Sequence, residues 1–203
     1  MLKYIRYGSI AFIVVLAIAV GAKTFFGNQQ QASRSVAGIK MGMPATLTSS
    51  DGEIVNESRF QGKPQAIHFG FTHCPDICPA TLWDMQDWIE TLGEELTEEI
   101  HFSMISVDPE RDTPELLNAY MTAFDPRIKA YTAGIEQTPD LLKSYRIYAK
   151  KIPDETDPTV YNMDHTSSVL LLDSQSRMVG TISYMETPEV AVQKLKNLIR
   201  REQ

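Results

Sequence analysis

The chain has 203 residues, 43% hydrophobic and 22% charged, with a net charge of −7, which suits one folded domain and excludes a disordered segment. Residues 1–40 hold five basic side chains (Lys3, Arg6, Lys23, Arg34, Lys40) and no acid, so the remainder carries −12. A body that acidic, with no basic cluster, excludes nucleic acid as a partner.

Met1–Tyr7 is short and basic, and Gly8–Ala22 follows as 15 residues without a charge. That is the length of a signal-peptide core, and it extends to Phe26 if Lys23 snorkels toward the headgroups. Ala17-Ile18-Ala19 has the small residues of a cleavage site, but a retained anchor is the preferred reading. Residues 1–27 are thus expected to form a single-pass N-terminal anchor in the cytoplasmic membrane, and residues 28–40 a polar linker. Basic residues ahead of the apolar run hold the N-terminus in the cytoplasm. The domain, residues 41–203, then lies on the outer side, periplasmic or extracellular, in an oxidising compartment.

Gln65–Phe71 is a short apolar run and predicts a buried strand. After Pro79, Leu82, Met85, Ile89, Leu92 and Leu96 step by three and four, a helix with one buried stripe. Ile100–Val107 predicts a strand, and Asp112-Thr113-Pro114-Glu115 starts a helix that runs to about Phe124. A strand over Lys129–Ala133 and a helix over Pro139–Arg146 follow. Strands over Ser168–Asp173 and Met178–Ser183 flank a Ser-Gln-Ser-Arg turn, and a helix over Pro188–Arg200 closes the chain. This order predicts an α/β fold, a mixed sheet with helices on both faces in the thioredoxin-like arrangement.

The chain's two cysteines, Cys74 and Cys78, sit in Phe-Gly-Phe-Thr-His-Cys-Pro-Asp-Ile-Cys-Pro. Each precedes a proline, which pushes it out of the helical region. Both are therefore expected on a loop between strand and helix, with Cys78 at or near the N-cap and its thiolate favoured by the helix dipole. One fate of the pair is a structural disulfide, although so short a loop gains little from closure. The other is a soft metal site of thiolates and an imidazole, suited to copper(I) or zinc. Of the four histidines, His68 lies inside a strand, His73 points away from its neighbour Cys74, and His101 opens a strand. His165 lies in Tyr-Asn-Met-Asp-His-Thr-Ser-Ser, read as a polar loop that a thioredoxin-like topology sets beside the first helix's N-terminus.

The segments Phe69–Pro79, Ser106-Val-Asp-Pro-Glu-Arg-Asp-Thr-Pro114, Asp164-His-Thr-Ser167 and Leu171-Leu-Asp173 resemble the Sco/SenC family. Its members are membrane-anchored, thioredoxin-like copper proteins of respiratory oxidase assembly. The resemblance implies one copper ion, Cu(I) or Cu(II), bound by Cys74, Cys78 and His165. It implies delivery to the dinuclear copper centre of cytochrome c oxidase, or reduction of that subunit's cysteines by Cys74 and Cys78. Expected partners are the oxidase's copper-site subunit, an exported thiol reductant and a further copper chaperone. Ser106–Pro114 reads as a strand end, turn and helix cap, and Met163 as core or loop filler. Asp76 and Asp164 are candidate supporting carboxylates, while Trp83 and Trp88 belong to the packing of the helix after the site.

Three rivals to copper delivery stay open. A thiol–disulfide oxidoreductase would ordinarily use a shorter C-x-x-C and a cis-proline where this chain has Asp164-His165-Thr166. A redox or copper sensor would use the same site. Zinc hydrolysis lacks a placed acid or base. Peroxiredoxin chemistry fits worse, with Phe71 where its threonine belongs.

Overall fold

The computed structural model describes residues 38–42, 45–157 and 160–202. The expected anchor and most of the expected linker lie outside the described residues. Among the described residues no helix is long and apolar enough to cross a membrane.

In chain order the elements are β1 (Leu47–Ser49), β2 (Ile54–Val55), a 3-10 turn (Glu57–Phe60), β3 (Gln65–Gly70), α1 (Ile77–Glu98), β4 (His101–Ser106) and α2 (Pro114–Met121). Then come β5 (Ile128–Ala133), α3 (Thr138–Ser144), β6 (Ala149–Pro153), β7 (Tyr161–His165), β8 (Val169–Leu172), β9 (Met178–Ile182) and α4 (Pro188–Arg200). Seven strands make one sheet in the order β2-β1-β5-β4-β3-β8-β9, and β6 with β7 makes a separate antiparallel hairpin. The pairs β3–β4 and β4–β5 are parallel, and every other pairing in the large sheet is antiparallel. The mixed sheet is therefore as expected, and the strands and helices foreseen from the sequence are all present within a few residues of their ends.

The core explains the order. Central β3 is buried along its whole length, as a strand covered on both faces must be. Ala66, Met104 and Ala130 turn to one face, where they pack with Leu82, Met85 and Ile89 of α1, Leu117 of α2, and Leu195 and Ile199 of α4. Phe69 points to the other face and meets Tyr145, which follows α3, with ring centroids 5.1 Å apart. Helices thus cover both faces. Inside α1, Gly93 adopts φ +76°, a left-handed value that breaks the helix. Thr97 Oγ1 donates to the Gly93 carbonyl there at 2.7 Å.

Four details differ from the sequence reading, one being strand β6, which the sequence did not announce. The chain from Leu47 to Val55 contributes the short strands β1 and β2 at one sheet edge. His165 ends strand β7 instead of lying in a loop. α1 begins at Ile77, so Cys78 is in its first turn and not outside the helix. Pro79 tolerates this because first-turn amides lack intrahelical acceptors, and Asp76 takes the N-cap position.

Candidate metal centre

β3 ends at Gly70, and the following loop carries Cys74 before α1 begins. Cys74 is half-buried and Cys78 buried, and both are free thiols. The Asp76 side chain makes no capping hydrogen bond. The Cys78 amide instead donates to Cys74 Sγ at 3.3 Å, so a sulfur occupies the place of the usual capping oxygen.

That geometry reverses the sequence expectation about the two thiols. Cys74 accepts a hydrogen bond from the Cys78 thiol and receives the helix-end amides, which together pull its pKa down to about 4. Cys78 keeps its proton: it donates that hydrogen bond, and burial beside the Cys74 charge pushes its pKa up. The pair therefore holds one exposed-side thiolate and one interior thiol.

The third group comes from the hairpin. Cys78 Sγ and His165 Nε2 lie 3.4 Å apart, and one donor atom from each of Cys74, Cys78 and His165 falls within 4.8 Å of the others. Metal bonds of about 2.0–2.3 Å would set three donors in a plane roughly 3.5–4 Å apart, so the trio fits one ion with little movement. His165 Nδ1 lies 2.9 Å from the Thr166 carbonyl, which only accepts, so Nδ1 carries the proton and Nε2 offers its lone pair. The edge of the His165 ring meets Phe71, with centroids 5.6 Å apart.

Ser106–Pro114, read from the sequence as a turn and cap, holds both halves of the site in position. Asp112 is fully buried and accepts from Thr72 Oγ1 at 2.6 Å, from the Thr72 amide at 3.2 Å and from Ser106 Oγ at 2.6 Å. It thereby fixes the loop that leads to Cys74. Asp108 accepts from Tyr161 Oη at 2.8 Å and pairs with Arg111, which donates to the Tyr161 carbonyl at 2.9 Å. The Arg111 guanidinium also stacks 3.8 Å from the centre of the Tyr161 ring. These contacts secure the strand that ends in His165. Nothing local in the sequence announced them, because the partners are 40 and 53 residues away.

The remaining candidates fall as follows. His73 is exposed, with its ring nitrogen 3.0 Å from Thr72 Oγ1, outside the trio. His101 opens β4 at the other end of that strand from Ser106. His68 is fully buried beside the site, and that burial pushes its pKa down to about 3, so it stays neutral. Asp76 acts on Cys74 through its backbone amide, and its carboxylate is exposed. Asp164 is exposed on β7 opposite Lys150 and points away from His165, while Met163 shares the His165 face and is half-buried. Trp88 is core. Trp83 is 47% exposed, with its ring against Phe124, and so is the more accessible of the two.

Comparison with known proteins gives the family. The SCO1/SenC family model matches residues 34–200. An SCO2-like protein of Rickettsia prowazekii is 33% identical over 176 residues, covering 83% of this chain and 85% of that one. The structure of Bradyrhizobium japonicum ScoI with copper bound has a TM-score of 0.71 at 37% identity, covering 78% of this chain and 99% of that one. The Arabidopsis thaliana ScoI structure with copper bound has a TM-score of 0.70 at 30% identity, covering 79% and 99%. By that family match and those relatives, the chain belongs to the SCO1/SenC family.

Proposed function

We propose that this chain is a copper metallochaperone of respiratory oxidase assembly, which binds one copper ion through Cys74, Cys78 and His165 and hands it to the dinuclear copper centre of cytochrome c oxidase. The observation that carries the reading is the convergence of two sulfurs and one imidazole nitrogen within 4.8 Å, from a loop, a helix and a hairpin. Two soft sulfurs and a borderline nitrogen favour copper over calcium or magnesium. Copper-bound relatives of the same fold support the choice of metal.

Cys74 offers a thiolate at the surface side, Cys78 gives up its proton as the ion is captured, and His165 Nε2 closes the trio. Three donors leave the ion approachable. A client thiolate can then take the place of Cys74, the most exposed of the sulfurs, without copper passing through solvent. The sequence of residues 1–27 supports placing the chain as a single-pass protein of the cytoplasmic membrane, with the domain outside. An exported thiol reductant is then required to keep both cysteines reduced.

The asymmetry of the two thiols favours a second reading, reduction of the client's own copper-ligand cysteines. The Cys74 thiolate would attack a client disulfide, forming a mixed disulfide and releasing one client thiolate. Cys78, losing its proton, would then attack Cys74 Sγ, closing the Cys74–Cys78 disulfide and releasing the second client thiolate. The exported reductant would regenerate the dithiol.

One experiment separates the readings. Copper-loaded, reduced full chain in detergent is mixed with the oxidase's copper-site domain, first with that domain's cysteines reduced and then with them oxidised. Delivery predicts that copper appears in the separated domain, in the reduced case, at a rate faster than release of copper to a chelator. Appearance only after client reduction by metal-free chain, with copper supplied from solution, would replace delivery by the reductase role.

A further inference from the structure

His68 is a chemistry-bearing side chain beside the thiols that the three-ligand site does not use. It sits within β3 with no exposure, and neither ring nitrogen has a hydrogen-bond partner. A buried polar atom without a partner is destabilising, a cost that leucine or phenylalanine at a core position would avoid. The ring's neighbours are the site itself. It lies edge-on to His165 with centroids 6.2 Å apart. Gly70 is on the same face of the strand two residues on. A Cβ there would stand 2.6 Å from His68 Nε2 and 3.0 Å from Cys78 Sγ, so these two atoms are at most 5.6 Å apart across a gap that glycine leaves open.

We propose that His68 is an inner, fourth ligand of the copper site, its Nε2 completing a two-sulfur, two-nitrogen set with Cys74, Cys78 and His165 when the ion is Cu(II). The inference rests on the copper reading above and extends it. Three soft donors satisfy Cu(I), whereas Cu(II) takes four in a tetragonal set, for which a neutral imidazole is a good donor. Bonds of about 2.0 and 2.3 Å let two donors on one ion stand up to about 4.3 Å apart. If they stand at that 5.6 Å limit, Nε2 and Cys78 Sγ need to approach by at least about 1.3 Å, a movement into the space that Gly70 leaves free.

The test is to load the full chain in detergent with one equivalent of Cu(II) and count coordinated imidazoles by pulsed electron paramagnetic resonance. Wild type is expected to show two. His68→Phe, which keeps the ring volume, is expected to show one, with Cu(II) affinity lower by about 10- to 100-fold and Cu(I) affinity within about threefold. His73→Ala and His101→Ala are expected to keep both imidazoles. These two variants assign the second nitrogen to His68 by elimination even if His68→Phe does not fold. A single imidazole in the wild type overturns the inference and leaves the copper reading standing. Loss of an imidazole in His73→Ala or His101→Ala, or two imidazoles persisting in His68→Phe, overturns it as well. Failure of the wild type to hold stoichiometric copper overturns the copper reading and this inference together.

Discussion

The two halves of the site are held in different ways. The cysteine loop is a local construction: Cys74 Sγ caps the helix that begins three residues later, and Cys78 is packed inside that helix's first turn. The β6–β7 hairpin that carries His165 is outside the large sheet. It is held by Tyr161 against Asp108 and Arg111, by an exposed Lys151–Glu110 pair, and by the Thr166 amide on the Tyr148 carbonyl. One half is built into the core and the other is latched on. A site divided this way fixes its thiols and its imidazole through separate sets of contacts.

Substitutions that separate the halves test this contrast. The largest effect is expected for His165→Ala: copper(I) affinity should fall by more than about 100-fold, exceeding the 10–100-fold typical of supporting partners, while thiol alkylation proceeds as before. Next comes Asp112→Ala, which removes the buried acceptor of Thr72 and Ser106. It should cost about 3 kcal/mol and lower the melting temperature by about 6–12 °C in a thermal melt, because buried donors are left unpaired. If the melt is unchanged, the cysteine half is not braced as described. Tyr161→Phe loses one hydrogen bond to Asp108, worth about 1 kcal/mol, so copper affinity should drop about fivefold with thiol reactivity unaltered. An altered alkylation rate in that variant would mean that the two halves are coupled.

The smallest expected effect is a flat line. The Cys74 pKa is lowered to about 4, so its thiolate persists as pH falls and is lost only through that value. Its alkylation rate should therefore be constant from pH 8 to about 5.5. Over the same range an ordinary thiol, with a pKa of about 8.5, loses its thiolate about 240-fold. A rate that falls in proportion to acidity would show that the helix end does not activate Cys74.

Legibility in the sequence followed the same division. The cysteine half could be read because its signals are local: an apolar strand, a proline at a helix start and an apolar stripe of period 3.6. Even there, the helix start was misplaced. Asp76, an ordinary N-cap residue type, marks the start, and the prolines that follow do not delay it. With the start misplaced, the dipole was assigned to Cys78, whereas Cys74 receives its amides. In the hairpin, Ala149–Pro153 is exposed along most of its length and so carries no alternation to read. Tyr161, Met163 and His165 do alternate with more exposed neighbours, and that period of two was the available signal for β7. β1 and β2, of three and two residues, are too short to show a period. A histidine inside a strand, such as His68, is usually core packing; only the unpartnered nitrogens beside Gly70 and Cys78 set it apart.

The most direct test of the central claim is a copper(I) titration of the full chain, reduced and free of oxygen, against a competing chelator, with His165→Ala in parallel. The account predicts one tightly held copper per wild-type chain and its loss in the variant. Equal affinity without the imidazole, or no competitive binding alongside a readily exchanging disulfide, would contradict it.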